Sequence, residues 1–136
     1  MFETAREILG YAREELDKAE KLRDILLYRN AADKAFLALV VAINEYIRVI
    51  KGVVPRSHIE RRKILREIGR EDLRAIYSDM MKTLHEEAFY EGVYQPSEVW
   101  YALSKIERII EELESEVAKM KKEPATSPND QQLQAK

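Results

Sequence analysis

The sequence predicts an all-α protein, an up-and-down helical bundle of four main helices plus one short helix. Three observations carry that expectation. The most apolar stretch, residues 30–52 (NAADKAFLALVVAINEYIRVIKG), has helical rather than strand signals, and every residue from Ala35 to Ile43 is apolar. A helix apolar all round must be covered on all sides by other elements. Apolar residues recur at helical spacing on both sides of this stretch. Gly52, Gly69 and Gly92 stand where those patterns stop, as helix-terminating glycines do. The apolar run falls well short of the ~20 residues needed to cross a bilayer, so it reads as the central rod of a bundle and not as a membrane span.

The first helix is expected over residues 2–28, with Phe2, Ala5, Leu9, Ala12, Leu16 and Ala19 on a heptad seam joined by Leu22 and Leu26. Gly10 interrupts it at a cost of about 1 kcal/mol. Continuing the seam would bury Asn30 and Asp33, so a tight antiparallel turn is expected near Arg29, with Asn30 as N-cap and Asp33 in the first turn of helix two. That helix ends at Lys51. Val53-Val54-Pro55 is extended, because the residue before proline avoids the helical region. Ser57 with Glu60 forms a capping box for a short third helix ending at Ile68. The fourth helix starts near Arg70 and runs to Gly92, with Leu73, Ile76, Tyr77, Met80, Leu84 and Ala88 facing inward. Pro96 and Ser97 open the fifth, whose seam is Val99, Leu103, Ile106, Ile110, Leu113, Val117 and Met120. The bundle thus occupies residues 1–122. Residues 123–136 (EPATSPNDQQLQAK) hold one leucine and no aromatic residue and are expected to be a disordered tail.

The totals narrow the function classes. The 136 residues suffice for one domain with one core. A charged fraction of 35% suits long amphipathic helices, and a net charge of -2 provides no global attraction to nucleic acid or membrane. No cysteine is present, which removes disulfides, thiol nucleophiles and thiolate metal sites. Two histidines in different helices, without an HExxH pattern, make a metal site unexpected. No cofactor is expected either, since nothing resembles a phosphate loop. The first residues are charged throughout, unlike a signal peptide, so a cytoplasmic location is expected.

Three groups of residues could carry function. The basic run Arg56, Arg61, Arg62, Lys63 and Arg66, with His58 inside it and Arg70 following, could contact phosphates. It reads equally as the solvated face of a surface helix, with Glu60 and Glu67 diluting its charge. His85 lies on a flank of helix four shared with Arg74, Ser78, Met81 and Phe89. There it could work as general acid or base, or simply bond a neighbouring carboxylate such as Glu86 or Glu87. His58 reads as part of a helix start. The aromatic group Phe89, Tyr90, Tyr94, Trp100 and Tyr101 fits a plug at the end of the bundle or an interface anchor.

The segments AADKAFLALVVAINEYI, VVPRSHIERRKILREIG and DLRAIYSDMMKTLHEEAFYEG, followed by a long acidic helix, resemble HEPN-type helical domains. The resemblance is to the archaeal PaREP-type branch in particular, and LHEEAFYEG is its most specific part. It implies an up-and-down bundle, commonly a homodimer. Many such domains are metal-independent ribonucleases or toxin components, and others bind nucleotides or act as protein partners. The ribonuclease members carry an arginine about four to six residues before a helix-four histidine. His85 matches that histidine, but no arginine lies between Ser78 and Leu84. Arg74 is about 16 Å back along the axis, too far for one site within a chain.

The expected role is therefore a non-catalytic HEPN-like interaction module. It would be homodimeric through Arg74, Ser78, Met81, Phe89, Tyr90, Tyr94 and Trp100. Nucleic acid, a nucleotide or a protein are its candidate partners, and a membrane is not. The alternative is a metal-independent ribonuclease using His85, helped by basic residues of helix three.

Overall fold

The computed structural model describes residues 1–122, and the expected disordered tail lies outside them. Its helices are α1 (Glu3–Leu22), α2 (Ile25–Lys51), α3 (His58–Glu67), α4 (Glu71–Met80), the π-helix π1 (Met81–Tyr90) that continues α4 without a break, and α5 (Pro96–Lys122). No strand occurs among the described residues. The all-α bundle is the one predicted. α2 lies against α1, α5 and π1, α1 lies against α5, and α3 packs on α4 and reaches α2.

The α1 seam is buried as its spacing requires, from Phe2 and Ala5 through Leu9, Ala12 and Leu16 to Ala19. The turn that follows is not where the heptad pattern puts it. Arg23 takes the left-handed conformation at φ 51°. Asp24 is the N-cap of α2, its carboxylate accepting from the backbone N–H of Leu26 at 2.9 Å and of Leu27 at 3.3 Å. Such a cap is worth about 1 kcal/mol and favours the positive end of the helix dipole. Leu22 and Leu26, placed on the seam by periodicity, flank this turn and are 68% and 64% exposed. Arg29 and Asn30 lie inside α2.

The central run is also wetter than its composition suggests. Ala35, Phe36, Ala38, Leu39, Ala42 and Ile43 are buried, but Leu37 is 47% exposed and Val40 and Val41 are half-buried. Three covering helices enclose most of a cylinder and leave one stripe open. The fully buried Leu39, Ile43 and Ile47 each contribute about 1.5–3 kcal/mol by leaving water.

Gly52 closes α2 at φ 74°, a conformation that any side chain would strain. The α3 start is capped as expected: Ser57 Oγ accepts from the Glu60 N–H at 3.0 Å. Glu60 Oε1 reaches back to the Arg56 N–H at 2.6 Å. Arg70 fixes the start of α4, bonding Asp72, Tyr46 Oη and Glu116. The α5 seam is buried from Val99 to Val117, while Met120 is 44% exposed.

The fourth helix differs most from expectation. Residues 70–91 carry a 3.6-residue apolar stripe, yet Met81–Tyr90 is wound as a π-helix, a form that usually occurs as single turns and often at functional sites. Its last carbonyls are taken by α2: Arg29 Nε donates to Phe89 O at 2.6 Å and Nη2 to Tyr90 O at 3.0 Å. The fully buried Tyr28 donates to Val93 O and accepts from the Gln95 N–H, both at 2.8 Å. Two consecutive α2 side chains thus clamp the end of π1 and the loop into α5.

Candidate functional site

Where α2, α3, α4 and π1 meet, the apolar core gives way to a cluster of rings and polar groups. Phe36 on α2 is its hub, with ring centroids 5.8 Å from His58, 5.6 Å from His85 and 5.5 Å from Tyr77. The two imidazoles are 6.3 Å apart. The π winding contributes directly, because its wider turn brings both the fourth and the fifth following residue against His85. Phe89 stacks at 5.9 Å and 11°, and Tyr90 meets the ring edge-on at 5.0 Å and 79°.

His85 bonds a carboxylate, but neither of its sequence neighbours. Nδ1 lies 2.9 Å from Asp33 Oδ1 on α2, so the partner comes from another helix and the ring is held across the helix interface. His58 is more than a helix start. Its Nδ1 bonds Tyr77 Oη and lies 3.3 Å from Arg61 Nη1. Burial, then the Arg61 charge, then His85 and Arg62 push its pKa below the ordinary value, which keeps the ring neutral near pH 7.

Arg61 is not part of an exposed basic patch. It is 5% exposed and spends its guanidinium inside: Nε donates to Asn44 Oδ1 at 2.7 Å, Nη1 to Tyr77 Oη at 2.9 Å and Nη2 to Pro55 O at 3.4 Å. A buried arginine needs this degree of satisfaction. Burial, opposed by Arg61, raises the Tyr77 pKa, so its hydroxyl stays protonated. Arg62 is half-buried and near enough for its charge to act on both His58 and Tyr77. Among the described residues it makes no side-chain hydrogen bond or ion pair. Lys63 and Arg66 are exposed on α3 and Arg56 is exposed just before it, and Arg66 lies 3.9 Å from Glu71.

The residues expected at a dimer interface have different neighbours within the chain. Phe89 and Tyr90 belong to the His85 surroundings, with half-buried Met81 on the same π-helix. Arg74 is turned to Glu71 and to Ser78 Oγ at 3.4 Å and makes no bond to His85. Tyr94 packs on Tyr28 at 4.8 Å, and Trp100 Nε1 donates to Glu20 on α1, both toward the α1–α2 turn. Asp33, Phe36, Asn44, His58 and Tyr77 are site residues that sequence reasoning missed. The available signal was the pair Asp33 and Asn44, the two amide or acid side chains that bracket the apolar run about three helical turns apart.

Among the described residues no group of three or more histidine or acidic side chains comes together as metal ligands, and no helix is long and apolar enough to cross a membrane. A separate cleft of about 290 Å³ lies between α4, π1 and α5, beside Ile76, Lys82, Tyr101 and Lys105. It shares no residue with the histidine cluster.

An all-α bundle carrying a half-open imidazole pair, set into a polar and aromatic cluster, is the class of protein that fold and site define. Within that class the chain belongs to the archaeal PaREP1/PaREP8 family, which it matches over residues 7–110. No curated protein and no solved structure matches it.

Proposed function

We propose that the chain is a metal-independent ribonuclease of HEPN type acting at the His85–His58 cluster. The observation that carries this reading is the Asp33–His85 bond with a second, neutral imidazole 6.3 Å away. A carboxylate that holds Nδ1–H leaves Nε2 as a base, the arrangement general-base catalysis needs. The arginine missing from the π-helix has a counterpart in Arg62 of α3, whose charge acts on His58 and which has no side-chain partner among the described residues. Tyr90, 65% exposed, supplies a face on which a base stacks. His85 Nε2 removes the proton of a ribose 2′-hydroxyl, and the oxygen attacks the adjacent phosphorus. The 5′-oxygen leaves with a proton from water, while His85 returns its own to solvent. Donors from His58 and Arg62 stabilise the charge on the phosphoryl oxygens. The products are a 2′,3′-cyclic phosphate and a 5′-hydroxyl. In EDTA the protein is expected to cleave single-stranded RNA to those ends, with a His85→Ala loss of about 10²–10⁴-fold. RNA left intact would overturn the assignment.

A specific observation also favours the non-catalytic homodimeric module. Leu37, Ile59 and Tyr90, each adjacent in sequence to Phe36 or His58 or packed on His85, are 47%, 72% and 65% exposed. Exposed apolar side chains on α2, α3 and π1 suit a second copy of the chain packing over these helices. On that reading the 15.9 kDa chain elutes at twice its mass, Ile59→Lys returns it to monomer, and RNA is untouched.

A further inference from the structure

The two histidines differ in what holds their inner nitrogens, and that difference decides what each presents to solvent. Arginine has donors only. Arg61 Nη1, 3.3 Å from His58 Nδ1 and 2.9 Å from Tyr77 Oη, therefore requires a lone pair on both atoms. The Tyr77 hydroxyl accepts from Arg61, so its own hydrogen is free to point at His58 Nδ1, to which it is bonded. Two donors thus converge on Nδ1, and the hydrogen of the neutral ring resides on Nε2. At His85 the polarity is reversed. An ionised carboxylate only accepts, so Asp33 Oδ1 at 2.9 Å requires a hydrogen on Nδ1 and leaves the lone pair on Nε2. Among the described residues neither Nε2 has a hydrogen-bond partner. Glu15 Oε1 is the one buried side-chain polar atom lacking a partner among the described residues, so both Nε2 atoms reach water.

We propose that Arg61 acting through Tyr77, and Asp33 acting directly, are positioning residues that lock His58 and His85 into opposite tautomers. The pair then offers one ligand a donor and an acceptor side by side. Such a pair fits a hydroxyl next to a phosphoryl or other anionic oxygen: the hydroxyl donates to His85 Nε2 and the oxygen accepts from His58 Nε2–H. A ribose 2′-hydroxyl beside its phosphodiester has that pattern, and deoxyribose lacks the hydroxyl. The proposal takes the histidine cluster to be the functional site, as above, but the tautomers are read without any substrate. Phe36 against both rings supplies an apolar wall. The charged or titratable groups around His58 are Arg61 and Arg62 from α3, Tyr77 from α4 and His85 from π1.

Long-range proton–nitrogen correlation spectra of the imidazoles at pH 8, in the full chain without RNA, read the tautomers directly. His58 is expected to carry its hydrogen on Nε2 and His85 on Nδ1. Asp33→Ala should move the His85 hydrogen to Nε2 and leave His58 as it was. Tyr77→Phe, which keeps the buried ring, should shift the His58 Nδ1 resonance and leave His85 as it was. The same tautomer at both residues of the unmodified protein, or an unmoved ring in its own variant, would overturn the proposal. If RNA is not cleaved but the tautomers are opposite, the ribonuclease reading falls and the positioning roles stand. If RNA is cleaved by a protein whose tautomers match, the reverse holds.

Discussion

Along α2 two kinds of packing exist side by side. Ala31, Ala35, Ala38, Leu39, Ala42, Ile43 and Ile47 are fully buried without a polar atom to satisfy, and helices come together there by excluding water. At Asp33, Phe36 and Asn44 the same helix meets His85, His58 and Arg61 through directed bonds and ring contacts. The first kind is strong, non-directional and tolerant of any filling of equal volume. The second adds less net stability, because each bond replaces one to water, but it fixes where particular atoms point. Cohesion is concentrated in one and directed polar geometry in the other, and a single helix joins them.

The largest effect should come from the apolar packing. Leu39→Ala removes a fully buried side chain and should cost about 2–5 kcal/mol in urea unfolding. A loss below ~1 kcal/mol would mean that α2 is not the core. In the polar cluster, Arg61→Met leaves Asn44 Oδ1 and Tyr77 Oη without their donor and should cost about 1–3 kcal/mol. Arg61→Lys should rescue only part of this, because a compact ammonium cannot reach every acceptor around the planar guanidinium. An unchanged midpoint in Arg61→Met would remove the arginine from the account.

A smaller effect is specific to pH. The folded pKa of His58 is depressed, by burial and then by Arg61, His85 and Arg62, below the ordinary histidine value of 6.5 that the unfolded chain keeps. The unfolded state therefore binds the proton first as pH falls. Stability should drop as pH moves from above 6.5 down through the folded pKa, with no His58 contribution above that window. Urea midpoints at pH 7.5 and 5.5 should differ in that direction, and His58→Gln should reduce the difference; an undiminished difference would assign it elsewhere. The smallest effect belongs to Gly10, exposed on α1 with open space where a Cβ would stand. Gly10→Ala should raise stability by about 0.4–1 kcal/mol without touching the site.

The same contrast explains what could be read in advance. Apolar periodicity is a one-dimensional record of water exclusion, so the α1 and α5 seams, Leu73, Tyr77, Leu84 and the glycine stops were all legible. Two things misled it. Leu22 and Leu26 continue a heptad that the chain abandons where Arg23 turns left-handed and Asp24 caps α2. Met81–Tyr90 keeps an apolar stripe although its winding is wider, and a repeat of 3.6 does not report a π-helix. The site left a fainter trace. His85 is visible as a polar ring on an inner flank, but by position its partner Asp33 looks like a first-turn acid and His58 like a helix start. Arg61 was grouped with its exposed neighbours, since charge composition does not reveal which member of a basic run turns inward. Hydrogen bonds between helices distant in sequence have no periodicity to announce them.

On this reading, ligands bind at the α2–α3–π1 cluster. This can be read from an amide and imidazole chemical-shift titration with a nucleoside 3′-monophosphate, which keeps the 2′-hydroxyl beside its phosphate and has no 5′-linked group to lose. The account predicts shifts gathered at Asp33, His58, Arg62, His85 and Tyr90, weakening as salt is raised. Shifts centred instead on the cleft beside Ile76, Tyr101 and Lys105, or none at any concentration, would contradict it.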